Sequence, residues 1–102
     1  MRITTPEELQ HAVYEAQKAF THWKQEPASQ RARILFRYQQ LLVENEEELT
    51  HLISLETGKS EREAQREVEY GIECVEFAAT VPALLQSESA TGLIRSPLGV
   101  IG

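Results

Sequence analysis

A chain of 102 residues suits one small domain, and folded compactly it would bury roughly two-thirds of its unfolded surface. Ten Lys and Arg against sixteen Asp and Glu give a formal net charge of −6, which argues against nucleic acid or an anionic membrane as partner, since both repel a net anion. The single cysteine, Cys74, allows no internal disulfide, residues 1–5 lack the apolar core of a signal peptide, and no apolar run approaches the roughly 18 residues of a membrane helix, so the composition fits a cytoplasmic protein.

Thr5, Pro6, Glu7 and Glu8 combine an N-cap hydroxyl, a proline in the first turn and a glutamate three residues on, which predicts a helix over 5–25. Its apolar face is Leu9, Ala12, Val13, Ala16, Ala19, Phe20 and Trp23, a seam in which small alanines would let another helix approach closely. Pro27 disfavours helix at Glu26 and makes 26–28 a short connection.

The longest periodic stretch follows. With Ser29 as N-cap, Leu35, Tyr38, Leu42, Leu49 and Leu52 repeat at helical spacing, widened by Ile34, Leu41, Ile53 and Leu55. Because Leu42 and Leu49 keep phase across the polar patch 44–48, the expectation is one continuous helix over 29–57, roughly 40 Å long, closed by Gly58. The rival is a break at Asn45, capping a second helix whose first turn holds Glu46, Glu47 and Glu48.

Ser60 and Glu63 form a second capping box, and Ala64, Val68, Ile72, Val75 and Ala79 predict a third helix over 60–86, with Pro82 disfavouring simple continuation. Cys74, Phe77, Ala78 and Val81 lie off that stripe, so this helix is expected to have neighbours on more than one side. Residues 87–92 are loop-like. Leu93, Ile94 and Arg95 are extended, and Leu98, Val100 and Ile101 after Pro97 mark the beginning of a strand. A strand needs a neighbour and the sequence offers no other strong candidate, so this end is expected to be cut from something larger. The fold class is thus mainly α: three helices, one long and central, plus a C-terminal extended segment.

Isolated chemical motifs are weak. Gly58, Lys59 and Ser60 resemble the tail of a phosphate-binding loop, but Ile53 stands where that loop needs glycine, and the trio follows a helix rather than a strand. Cys74 sits among Ile72, Val75 and Phe77 with no cation beside it, which predicts a buried, inert thiol. His11, His22 and His51 lack metal-site spacing, and Gly99 with Gly102 does not make a dinucleotide loop.

The segments AFTHW at 19–23, RARILFRYQQLL at 31–42, LISLETGK at 52–59, GIECVEFAA at 71–79 and RSPLGVIG at 95–102 resemble, in order, the amino-terminal part of the aldehyde dehydrogenases. The wording is most similar to the methylmalonate- or malonate-semialdehyde branch, NAD-dependent and forming an acyl-CoA. The resemblance implies a fragment of an α/β fold whose helices pack on a cofactor-binding domain, with the 98–102 stretch leading into its first strand. It places the oxyanion asparagine, the NAD-binding segments, the general-base glutamate and the nucleophilic cysteine downstream of Gly102; Cys74 does not match the nucleophile's motif. It therefore implies no catalytic, cofactor-binding or metal residue here, a chain inactive alone, and NAD, with CoA in this branch, as cofactors only of full-length relatives.

Relatives also carry residues before the first helix, so the chain is expected to be short at both ends, and the loop 86–92 to be shortened. Tyr70 stands where the semialdehyde branch commonly has an arginine suited to a substrate carboxylate, and is the one substrate-adjacent position. The alternative is a non-catalytic helical module that self-associates as a homo-oligomer, or docks on a full-length aldehyde dehydrogenase, through exposed apolar faces.

Overall fold

The stripe Ala64, Val68, Ile72 and Ala79 runs down one side of the last helix and is buried along its length, Ala64 completely. Around it a computed structural model arranges four helices and describes residues 2–102, the side chains of residues 87–89 excepted. They are α1 Pro6–Trp23, α2 Ala28–Glu44, α3 Glu46–Thr57 and α4 Glu61–Ser89. Both α2 and α3 pack on α4. The order of cross-links makes the packing antiparallel: Gln39 of α2 donates to Glu76 of α4 at 2.6 Å, and His51 of α3 lies 3.2 Å from Glu61 at the start of α4.

Helix ends follow the local chemistry closely. At α1 the Thr5 hydroxyl accepts from the Glu8 amide at 3.2 Å while the Glu8 carboxylate accepts from the Thr5 amide at 2.9 Å, a complete capping box. At α4 the Glu63 carboxylate accepts from both the amide and the hydroxyl of Ser60, and the Glu63 amide donates back to that hydroxyl. Gly58 closes α3 with φ 73°, a left-handed conformation that a side chain would strain.

Several expectations are corrected. The central helix is two helices, not one spanning 29–57, because Asn45 leaves helical geometry at φ −109°, ψ 16°. Its side chain does not cap α3. The amide group instead donates back to the Leu41 carbonyl at 2.7 Å, competing for the backbone at the end of α2, and the three glutamates that follow favour a new helix start. Leu42 and Leu49 still both turn inward, so the stripe keeps its phase across the break.

Pro27, not Ser29, precedes α2, its carbonyl accepting from the amides of Gln30 and Arg31. Helix α4 continues through Pro82, which costs one backbone bond to Ala78 while Val81, Pro82 and Leu85 face the start of α2. The expected loop at 87–92 therefore shrinks to a turn at 90–92, although its first three side chains lie outside the described residues. The strand expected at 98–102 does not form: no strand occurs among the described residues, and this segment has no neighbour with which to pair.

The resulting body is thin. Its radius of gyration is 17.5 Å, against about 13 Å for a compact chain of this length. Its accessible surface is 8592 Å², against about 5,800 Å² for a compact monomer of this mass. Helix α1 has no buried residue, and no large side chain is fully buried anywhere among the described residues.

Two stability outcomes follow from these contacts. Thr50, 7% exposed between α3 and α4, buries a hydroxyl with no hydrogen-bond partner. Thr50→Val keeps the shape and removes the orphan oxygen, so chemical denaturation should show a variant about 1 kcal/mol more stable. The Glu63 carboxyl is held below its usual range, first by the hydrogen bond from the Ser60 amide and then by that from its hydroxyl. A depressed folded pKa adds stability that is present above the unfolded value and lost as pH falls through the folded one. Thermal unfolding followed from about pH 6 downward should therefore show a decline as the carboxylate range is entered that is shallower in Ser60→Ala.

Candidate interaction surface

Helix α4 is apolar on two opposite faces. One carries the buried stripe. On the other, Tyr70, Cys74, Phe77 and Leu84 recur at i, i+4, i+7 and i+14, and all four are exposed, Tyr70 at 69% and Phe77 at 67%. The expected neighbours on more than one side are present on one side only. This corrects the reading of Cys74 as buried: Ile72 and Val75 flank it in sequence but turn toward α2 and α3, while the thiol turns to solvent with Tyr70 and Phe77.

The second apolar surface belongs to α1, whose Leu9 and Val13 are exposed and which packs on none of the other helices. Only its C-terminal end approaches the body. Trp23 borders a cleft of about 300 Å³ shared with Ala28, Ile34, Leu35, Val81 and Leu85, and the Phe20 ring lies beside Gly99 of the C-terminal segment. Leu93, Ile94, Leu98 and Ile101 of that segment are exposed as well. Single exposed apolar residues are ordinary, but contiguous apolar faces of this kind are not.

Polar candidates are committed elsewhere. Lys59 pairs with Glu67, and Gly58 and the Ser60–Glu63 box form a helix stop followed by a helix start, so the Gly58, Lys59, Ser60 trio makes no phosphate cradle. His51 pairs with Glu61, and no three His, Cys, Asp or Glu side chains converge among the described residues. A dinucleotide site needs a glycine-rich turn between a strand and a helix; Gly99 and Gly102 lie in an irregular segment, so the residues present do not fit NAD. Tyr70 stands on the open face of α4. What the arrangement presents is an exposed apolar surface.

Comparison with known proteins assigns the family. The chain belongs to the aldehyde dehydrogenase family, whose model matches residues 1–102. It is 50% identical to malonate-semialdehyde dehydrogenase 2 of Geobacillus kaustophilus and 49% identical to malonate-semialdehyde dehydrogenase of Halalkalibacterium halodurans, in each case over 98% of this chain and 22% of the relative. The chain thus spans about a fifth of the length of the curated relatives it matches. Those alignments run over 108 positions, more than the chain has residues, so the relatives carry residues that it lacks.

Of the apolar set off the main periodicity of α4, Cys74 and Phe77 belong to the outer stripe, whereas Ala78 and Val81 line the cleft at the start of α2. The orphan Thr50 hydroxyl left no signal at all. The open face can be checked directly: Cys74 should react stoichiometrically with a thiol reagent in native buffer, at a rate within a few-fold of that in denaturant, where a buried thiol would wait for unfolding.

Proposed function

We propose that this chain supplies the amino-terminal helical scaffold of an NAD-dependent, cytoplasmic aldehyde dehydrogenase of the malonate-semialdehyde type, oxidising an aldehyde to an acyl-CoA or acid, and carries none of the covalent chemistry itself. The observation that supports it is the outer stripe of α4, apolar, exposed and opposite the core, on a chain that aligns nearly end to end with one fifth of such enzymes. That stripe is the face on which a cofactor-binding domain would sit. Tyr70, at its N-terminal end, is then the residue beside the substrate. A phenol donates one hydrogen bond and no charge, so this scaffold favours an aldehyde without a distal carboxylate, in contrast to an arginine there. The same stripe supports a second reading, a non-catalytic module that docks on a full-length aldehyde dehydrogenase.

The test is a chimera in which this segment replaces its counterpart in the Geobacillus kaustophilus relative. The chimera should oxidise aldehydes with NAD, while the 102-residue chain alone should not turn over in the presence of NAD, CoA and an aldehyde panel. Tyr70→Arg in the chimera should raise kcat/KM for malonate semialdehyde about 10- to 100-fold relative to an uncharged aldehyde, the worth of one charge-assisted pair. Turnover by the chain alone, or an unmoved ratio in Tyr70→Arg, would sink the assignment of scaffold and of Tyr70 respectively.

A further inference from the structure

Where α2 ends and α3 begins, the two helices and the first turns of α4 border a cleft of about 570 Å³. Its carboxylates come from all three: Glu44 from the end of α2, Glu46 and Glu47 from the first turn of α3, and Glu61 from the first turn of α4. Against these four stands one guanidinium, Arg62, which leaves three negative charges; the positive ends of α3 and α4, about half a charge each, reduce this to about two. Among the described residues the Glu46 and Glu47 carboxylates have no hydrogen-bond or ion-pair partner. Glu44 gives one oxygen to Gln40 and Glu61 one to His51, so each keeps a second.

Acidic residues alone make a solvated face, and what sets this cleft apart is Thr50. It lines the same cleft, is 7% exposed, and carries the one buried side-chain oxygen without a hydrogen-bond partner among the described residues. Thr50 follows Glu46 by four residues and Glu47 by three, so a cation held by those carboxylates lies within one helical turn of it. Threonine in a helix uses two rotamers, and rotation about its Cα–Cβ bond turns the buried hydroxyl to such a ligand. The orphaned oxygen and the unpaired carboxylates lack the same thing, a positively charged donor. A single metal ion does not fit, because no three carboxylates converge among the described residues. Separated carboxylates match separated charges, joined by methylenes that can lie along Val43 and the glutamate stems. We propose that this cleft binds a linear aliphatic polyamine, with one ammonium donating to Glu46, Glu47 and the Thr50 hydroxyl and another to Glu61. The site uses neither Tyr70 nor the outer stripe of α4, so it goes beyond the scaffold reading and does not depend on it.

Calorimetric titration of the full chain with spermidine, at an ionic strength of about 0.15 M, should show one saturable site with a dissociation constant below about 1 mM, and titration with magnesium chloride none. Glu46→Gln should weaken spermidine about 10-fold, the worth of one charge-assisted hydrogen bond. Glu69→Gln makes the same change of net charge outside the cleft and should leave the affinity within about twofold. Thr50→Val should also weaken spermidine about 10-fold, although it stabilises the fold, and Thr50→Ser, which keeps the hydroxyl, should not. No saturable heat, equal affinity for magnesium, an equal loss in Glu69→Gln, or an unmoved affinity in Thr50→Val would each overturn the proposal. So would tighter binding of lysyl-lysine amide, a trivalent stand-in for a basic protein segment. None of these outcomes bears on the scaffold reading, which the chimera tests independently.

Discussion

Everything that is fixed in this molecule is fixed against the stripe Ala64, Val68, Ile72 and Ala79. Two of these residues are alanines, and they bring α2 and α3 close to α4 without filling any large volume. Buried area is the main favourable term in folding, and small side chains bury little of it. The helices are consequently held by one narrow contact, extended by exposed polar links such as Gln39 to Glu76 and His51 to Glu61. Exposed links of that kind orient more than they stabilise.

The narrowness of the contact explains the shape. A helix stripe about 100° wide buries one side of a helix, and α4 has apolar residues on the opposite side too. Among the described residues no helix covers that side: α2 and α3 occupy the inner face. The excess surface and the large radius of gyration are two measures of the same shortfall. The chain belongs to the aldehyde dehydrogenase family and spans 22% of the length of the Geobacillus kaustophilus relative.

Within these residues the carboxylates serve helix ends and surface pairs, as Glu8, Glu63 and Glu67 show, and the thiol lies on a helix face without a base. What the described residues present is an outer apolar face on α4, with Tyr70 and Cys74 exposed on it. A rigid helix held along its inner face is a suitable carrier for both, because its outer residues keep a fixed spacing.

Much of this was legible from residue order alone. Capping boxes at Thr5 and Ser60, the left-handed stop at Gly58 and the inward stripe of α4 are local: each depends on residues within one or two turns, and local chemistry decides them. The break at Asn45 was legible only as an alternative, because the apolar phase survives it and an asparagine side chain can either cap forward or bond backward. Tertiary structure alone decided which face of α4 is covered, and so whether Cys74 is buried and whether α1 has a neighbour. Periodicity shows that a face is apolar, but burial depends on how many other faces the rest of the chain can bring to it, and here α2 and α3 reach only one side.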